Sequence, residues 1–227
     1  GAVDRGHAQH VAGGEARDAA PHLLEQRRVP HFEPRSEVVV AAPAVTADPD
    51  VVAKADRIVL PGVGAFAACM NGLSAIDGLV EAMERRVRSD GAPFLGICVG
   101  MQLLADAGEE HGRHAGLGWI PGTVRKFSEG FGYRFPHMGW NDVSPFDAQK
   151  AKFVADRHPV IATGEAYYLH GYYFDASQPS DVLAICEHSM LFAAAVGRDN
   201  ILGVQYHPEK SQAYGLATLE RFLTWRP

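Results

Sequence analysis

A cysteine between two glycines, where a strand pattern gives way to a helix pattern, is the strongest chemical signal in the chain. Cys98 follows an apolar run at residues 92–97, and a helix is predicted over residues 99–106, with Gly108 as its stop. This G-x-C-x-G pattern is the cysteine form of the nucleophile elbow, where glycines avoid collisions in a sharp turn. The turn would aim the sulfur at the positive end of the helix dipole, which favours the thiolate. The alternative is a buried structural cysteine beside tightly packed glycines.

A second motif supplies the base that a cysteine nucleophile needs. His207 directly follows an apolar segment at residues 201–206, and Glu209 lies two residues later. The base must take the thiol proton and return it to the leaving group, and a third group must orient that base. A histidine and a glutamate two residues apart are common by chance. Together with Cys98, however, they predict an acyl-transfer site.

The segments around these residues resemble the class I (triad) glutamine amidotransferases. The similar segments are GICVGMQ at 96–102, YHPEKS at 206–211, LPGVGAF at 60–66, GLGWIPG at 116–122, HMGWN at 137–141 and YLH at 168–170. HMGWN and the run at residues 205–212 are most similar to the glutaminase subunits of imidazole glycerol phosphate synthase, from histidine biosynthesis. The resemblance extends from about residue 45 to the C-terminus.

The resemblance implies a reaction and a partner. Cys98 would attack the carboxamide of L-glutamine, while His207, oriented by Glu209, would carry the proton to the leaving ammonia. Water would then release glutamate from a thioester. No cofactor is expected, since the triad and the oxyanion donors cover each change of charge. The ammonia would pass to a separate cyclase subunit, a (β/α)8 barrel.

An oxyanion loop is expected at Gly62, Val63 and Gly64. Backbone N–H groups can hold the O⁻ of a tetrahedral intermediate, and the Val99 N–H would be one donor by elbow geometry. The resemblance implies that the Gly62–Val63 peptide supplies another after reorienting, which flanking glycines make easy. A plain Pro-Gly turn is the alternative.

The resemblance also implies substrate contacts from Gln102 and from the segment that contains His170, and partner contacts from Trp140, Asn141 and Lys210. Each of these has a structural alternative. Gln102 could be a polar residue on a helix surface, and His170 a partly buried strand histidine. Trp140 could belong to the core, and Lys210 could be an ordinary solvated lysine.

Composition favours a cytoplasmic enzyme. The 227-residue chain has a formal net charge of −6, which argues against broad nucleic-acid affinity. No apolar stretch approaches the ~18 residues of a membrane span, and the start lacks the apolar core of a secretory signal. The cysteines Cys69, Cys98 and Cys186 are odd in number and form no C-x-x-C motif, which indicates a reduced compartment. No metal is expected, because no cysteine–histidine cluster has ligand spacing.

The predicted elements indicate one α/β domain. Besides the elements at the two motifs, they are strands at 57–60, 122–127, 139–144, 166–172, 182–187 and 191–196, a helix at 74–88 with Ser74 as its cap, and a last helix at about 213–225. The first half has a parallel βα pattern, and the second half is rich in strands. The resulting prediction is a central mixed, largely parallel sheet flanked by helices, with flavodoxin-like architecture.

Residues 1–36 do not resemble the opening strand and helix of the family. We therefore divide the chain into an atypical segment, 1–36, and an amidotransferase domain, 37–227. The segment is either a divergent arm or a non-native reading frame. It is expected to be loosely packed, so that a neighbouring strand at 58–60 or 94–97 would lack a partner on one edge.

Two other functions remain open. One is a glutaminase subunit of a different class I amidotransferase, with the same chemistry and another ammonia acceptor. The other is a catalytically dead protein that only binds a partner. Copurification with a (β/α)8 cyclase would separate the first of these from the histidine-pathway enzyme.

Overall fold

The computed structural model of the chain describes residues 43–127, 135–147, 150, 152–154 and 157–227. The strands in these residues are β1 (Ile58–Gly62), β2 (Phe94–Cys98), β3 (Ala107–Gly108), β4 (His114–Ala115), β5 (Gly122–Lys126), β6 (His137–Asp147), β7 (Lys152–Phe153), β8 (Gly164–His170), β9 (Tyr172–Ala176), β10 (Val182–His188), β11 (Met190–Arg198) and β12 (Ile201–Val204). The α-helices are α1 (Pro49–Val52), α2 (Phe66–Ser74), α3 (Leu79–Glu84), α4 (Val99–Gln102) and α5 (Gln212–Thr224).

The larger of two sheets carries both motifs. Its strand order is β1-β2-β12-β11-β10-β6-β7, with β8 paired to β6. β2 pairs in parallel with β1 and with β12, whereas the other described pairs in this sheet are antiparallel. Hairpins of one or two residues join β10 to β11 and β11 to β12, and such short connections permit only antiparallel pairing. The mixed α/β sheet is confirmed, and its described parallel part is limited to β1, β2 and β12.

A smaller sheet has the order β4-β3-β5-β9, and the loop between its strands β4 and β5 explains why the elbow helix is short. The helix begins at Val99 as predicted but ends at Gln102 instead of residue 106. The carbonyls of Leu103, Leu104 and Ala105 accept hydrogen bonds from the N–H groups of residues 117–120. Because those carbonyls are already bonded outside the helix, the helical ladder cannot continue.

The predicted helix at 74–88 is also corrected. Ser74 is the last residue of α2, a helix that the sequence patterns did not reveal. The next helix begins at Leu79, after Gly78 adopts a φ of 74°, and it continues into a π-helical turn at Arg85–Ser89. A left-handed residue interrupts a helix, so two helices replace the single predicted one.

The elbow strand is buried on both faces. All five residues of β2 are buried, and β2 has a partner on each side. A parallel strand with both faces covered is typically apolar throughout. A Cβ on Gly100 would lie 1.9 Å from the Leu60 carbonyl oxygen, so only glycine allows α4 to approach β1 this closely.

Among the described strands, β1 is the outermost on its side of the larger sheet. Of the two candidate strands, Ile58–Gly62 therefore has an edge open in the described residues, and Phe94–Cys98 is excluded because β1 and β12 flank it. The expectations for residues 1–36 themselves lie outside the described residues. Within the described part of the chain, no helix has the length and apolarity that a membrane span requires.

Candidate active site

Cys98 occupies the sharp turn that the glycine pattern predicts. It is the last residue of β2 and the N-cap of α4, with φ 53° and ψ −110°, and it is buried. Non-glycine residues rarely adopt this backbone conformation, which places the residue at a sharp corner between strand and helix. The elbow geometry of the sequence interpretation is therefore present.

His207 and Glu209 are hydrogen-bonded to each other. His207 Nδ1 lies 2.8 Å from Glu209 Oε1, and the histidine is buried whereas the Glu209 side chain is 54% exposed. An ionised carboxylate only accepts hydrogen bonds, so the Nδ1 atom carries the proton in the neutral imidazole. The Nε2 atom then has a free lone pair and can act as a base.

The sheet brings the two motifs to the same edge. β2 and β12 are parallel neighbours with Ile97 opposite Val204, so the chain beyond each strand emerges on one side. β8 contacts both continuations: the Leu169 carbonyl oxygen lies 3.8 Å from Cys98 Sγ, and the Tyr167 carbonyl accepts from the His207 N–H at 2.9 Å. The three triad candidates therefore lie at the same edge of the sheet.

At the Cys98 sulfur, burial opposes the helix dipole that favours the thiolate. Burial raises the pKa of the Cys98 thiol to about 11, and the negative charge of Glu209 also raises it. Hydrogen bonds from the Val99 N–H and the Gln205 amide lower the pKa only in part. A four-residue helix contributes a small dipole, so desolvation prevails. The site therefore needs a base to remove the proton.

The expected oxyanion loop lies directly beside the elbow. Gly62 ends β1 and pairs with Cys98 across the strands, while Val63 is 77% exposed. The Val63 carbonyl accepts a hydrogen bond from Cys69 Sγ at 3.4 Å. Cys69 lies in α2, so this hydrogen bond joins that helix to the loop. No sequence pattern pointed to that contact.

Two glycines of the loop should resist substitution for different reasons. A Cβ on Gly62 would lie 2.8 Å from the Gly100 nitrogen, whereas Gly64 has open space but a φ of 99°. We expect Gly62→Ala and Gly64→Ala each to lower the free energy of unfolding by about 1–3 kcal/mol, through overpacking and through backbone strain respectively. Urea denaturation measures this.

The matched control is Gly72→Ala in α2, where an added Cβ meets nothing within 4 Å. Alanine at this exposed helix position should raise the free energy of unfolding by about 0.5–1 kcal/mol. Equal effects at all three positions would contradict the role given to Gly62 and Gly64.

Gln102 is buried rather than on a helix surface. Its Nε2 donates to the Tyr172 carbonyl and to Gln205 Oε1, both at 3.1 Å. Gln205 is fully buried, and its own Nε2 lies 3.8 Å from Cys98 Sγ. The sequence interpretation missed Gln205. A glutamine inside the apolar run at 201–206 was the available signal.

His170 does not offer its ring to a substrate. Its Nδ1 bonds to the Tyr172 carbonyl at 2.8 Å, and its Nε2 lies 3.0 Å from His137 Nδ1. Burial lowers the pKa of His170 to about 3, so the ring is neutral. Both nitrogens are already bonded, which supports the alternative of a structural strand histidine. A contact of the backbone of this segment with the substrate stays a prediction.

The three candidate partner residues differ in exposure. Trp140 is 48% exposed, and its ring packs 6.1 Å from the ring of Tyr167. The exposed Lys210 places its Nζ 6.0 Å from the same ring. Asn141 instead donates to the Glu187 carbonyl and contacts His137 Nε2, so its side chain is used within the fold.

In the described ranges, no group of three or more histidine, cysteine, aspartate or glutamate side chains is arranged to hold a metal ion.

Known proteins are similar to this chain in sequence and in fold. The family model described as "Glutamine amidotransferase class-I" matches residues 27–224. The chain is 56% identical to imidazole glycerol phosphate synthase subunit HisH of Zymomonas mobilis, over 81% of this chain and 83% of the relative. It is 48% identical to the HisH subunit of Rhodospirillum rubrum, over 83% and 87%. A solved glutamine amidotransferase, 18% identical, superposes with a TM-score of 0.56 over 78% of this chain and 84% of its own, and supports the fold.

Proposed function

Since the chain belongs to the class I glutamine amidotransferase family, we propose that it is the glutaminase subunit of an imidazole glycerol phosphate synthase. The observation that carries the proposal is the 2.8 Å contact between His207 and Glu209 on the sheet edge that also holds Cys98. A nucleophile, a base and an orienting carboxylate are the groups that amide hydrolysis through a thioester requires. The identity to the HisH relatives supports the choice of subunit.

The first half of the reaction forms the thioester. His207 Nε2 takes the proton of the Cys98 thiol, and the sulfur attacks the carboxamide carbon of L-glutamine. The carbonyl oxygen becomes an O⁻ that accepts hydrogen bonds from the N–H groups of Val99 and Val63. His207 then gives its proton to the departing nitrogen, the C–N bond breaks, and ammonia leaves.

The second half releases the product. His207 removes a proton from water, and the hydroxide attacks the thioester carbon. The C–S bond breaks, glutamate leaves, and the imidazolium returns its proton to the Cys98 sulfur. Glutamine and water become glutamate and ammonia, and the subunit returns to its starting state. Glu209 holds the imidazolium in orientation through both halves.

Ammonia then passes to a cyclase subunit, a (β/α)8 barrel. The surface formed by Trp140, Lys210 and Tyr167 lies toward that partner, as the family resemblance implies. The exposed aromatic pair supports this, because tryptophan and tyrosine are enriched at interfaces. Asn141 contributes to the interface indirectly, because its side chain donates to the Glu187 carbonyl and so joins β6 to β10.

Partner dependence is the test of this proposal. Free hydrolysis would waste ammonia, and the exposed Val63 peptide between two glycines is easily reoriented. We expect the isolated subunit to release glutamate slowly, and the cyclase with its ligand to raise the rate at least tenfold, within the usual range of coupling energies. Glutamate release from the subunit alone, with cyclase, and with cyclase plus ligand measures this.

The matched control is cyclase plus ligand with the Cys98→Ala subunit, which corrects for background hydrolysis. Equal rates with and without the cyclase would contradict the proposed control. Stimulation by the ammonia-accepting subunit of another class I amidotransferase, and not by the cyclase, would reassign the subunit. Absence of hydrolysis in every mixture would favour the partner-binding alternative.

A further inference from the structure

We propose that Gln205 is a further catalytic residue, whose side-chain amide donates a hydrogen bond to the Cys98 sulfur as it becomes a thiolate, and that Gln102 positions Gln205 for this task. The proposal rests on the function proposed above. It also accounts for two buried glutamine side chains that touch each other beside the nucleophile.

The orientation of both amides follows from one backbone carbonyl. The Tyr172 oxygen can only accept a hydrogen bond, so the Gln102 atom that lies 3.1 Å from it is the Nε2 donor. The second N–H of that group then donates to Gln205, whose facing atom must be the acceptor Oε1. This leaves the Nε2 group of Gln205 directed at Cys98 Sγ, 3.8 Å away.

The sulfur needs such a donor because water does not reach it freely. Cys98 is 3% exposed and Gln205 has no exposed surface. Charge in a buried site is costly unless hydrogen bonds compensate for the lost water. The Val99 N–H is a second donor to the sulfur. The Leu169 carbonyl also contacts the thiol, but it can only accept and so offers no stabilisation to a thiolate.

The contact is suited to act during the reaction more than before it. At 3.8 Å the amide makes a weak hydrogen bond to a neutral thiol. A charged acceptor strengthens such a bond, so the stabilisation grows as the proton leaves for His207. Interactions that are stronger in the transition state than in the ground state raise the turnover number rather than substrate affinity.

The test reads the sulfur directly, without glutamine. Wild type, Gln205→Leu and Gln205→Met are treated with iodoacetamide from pH 6 to 12, and modification of Cys98 is followed by peptide mass spectrometry. We expect both variants to lose about 10- to 100-fold in the alkylation rate at pH 8, with the pH midpoint shifted upward. Gln102→Leu should give a smaller loss, since it removes only the positioning contact.

Two controls keep structural damage apart from lost chemistry. Gln178→Leu removes an exposed glutamine outside the site and should leave the alkylation profile unchanged. Thermal unfolding identifies any variant that fails to fold, and Gln205→Met provides a second, unbranched replacement of similar volume. Alkylation of Cys98 with the wild-type rate and midpoint in a folded Gln205 variant would overturn the proposal.

Glutamine turnover in the complex with cyclase completes the test. The kcat of the Gln205 variants should fall about 10- to 100-fold while KM changes little. A rise in KM with unchanged kcat would instead make Gln205 a substrate-binding residue and overturn its proposed role. If the wild-type complex hydrolyses no glutamine, the proposed function fails, while the alkylation profiles still decide whether Gln205 acts on the sulfur.

Discussion

Cys98→Ala is expected to abolish glutamine-dependent synthesis in the assembled enzyme while ammonia-dependent synthesis persists. Alanine removes the only atom that forms the thioester, and loss of a triad nucleophile commonly lowers kcat by a factor on the order of 10⁴ to 10⁶. The partner's own site is untouched, so ammonium salts should replace the missing ammonia. Product formation by the complex with glutamine, or with ammonium chloride, measures both activities.

Cys186→Ala is the matched control, because Cys186 is another buried cysteine, located in β10 away from the elbow. It should retain both activities, reduced only as far as stability falls. Glutamine-dependent turnover near the wild-type level in Cys98→Ala would remove the nucleophile assignment. Loss of ammonia-dependent synthesis would show that the alanine variant fails to assemble.

His207→Asn is expected to lower glutamine hydrolysis by a factor on the order of 10³ or more, and Glu209→Gln by a smaller factor. His207 is the base for a buried thiol whose pKa is raised to about 11, so few sulfurs ionise without it. Glu209 is 54% exposed, and solvent screens its attraction to the imidazolium. A glutamine carbonyl at residue 209 can still accept from Nδ1, which preserves the tautomer.

The kcat of each single variant and of the Cys98→Ala/His207→Asn double variant tests this pair. Residues that act as a unit are not additive, so the double variant should be no slower than Cys98→Ala alone. An equal loss in Glu209→Gln and His207→Asn would contradict the secondary role of the carboxylate. A kcat of the double variant below that of Cys98→Ala would contradict the idea that Cys98 and His207 act in the same step.

The elbow and the contact between His207 and Glu209 could be predicted because their geometry is local. The glycine at residue 96 is required by backbone contacts within one strand-turn-helix unit, because a Cβ on Gly96 would meet the backbone of Gly100 and Met101. His207 and Glu209 are two residues apart, so their hydrogen bond needs no long-range information. Most strands of the second half were predicted within a few residues because alternation and turn residues mark them, whereas β7 and β9 were not predicted.

The features that were missed depend on contacts distant in sequence. The elbow helix ends early because residues 117–120 bond to its last carbonyls. Gln205 meets Gln102 across 103 positions, and the bonds that occupy the His170 ring come from another strand and from Tyr172. The protonation of Cys98 depends on total burial, which is a property of the assembled fold. Residue patterns in a single sequence carry none of this information.

The backbone of Cys98 also has an evolutionary consequence. At φ 53° and ψ −110° a side chain costs on the order of 1–3 kcal/mol, whereas glycine adopts these angles freely. Selection for thermal stability alone would therefore favour glycine at this codon and discard the nucleophile. Directed evolution of this subunit for robustness should couple every round to a glutaminase screen, because stability and activity favour different residues at position 98.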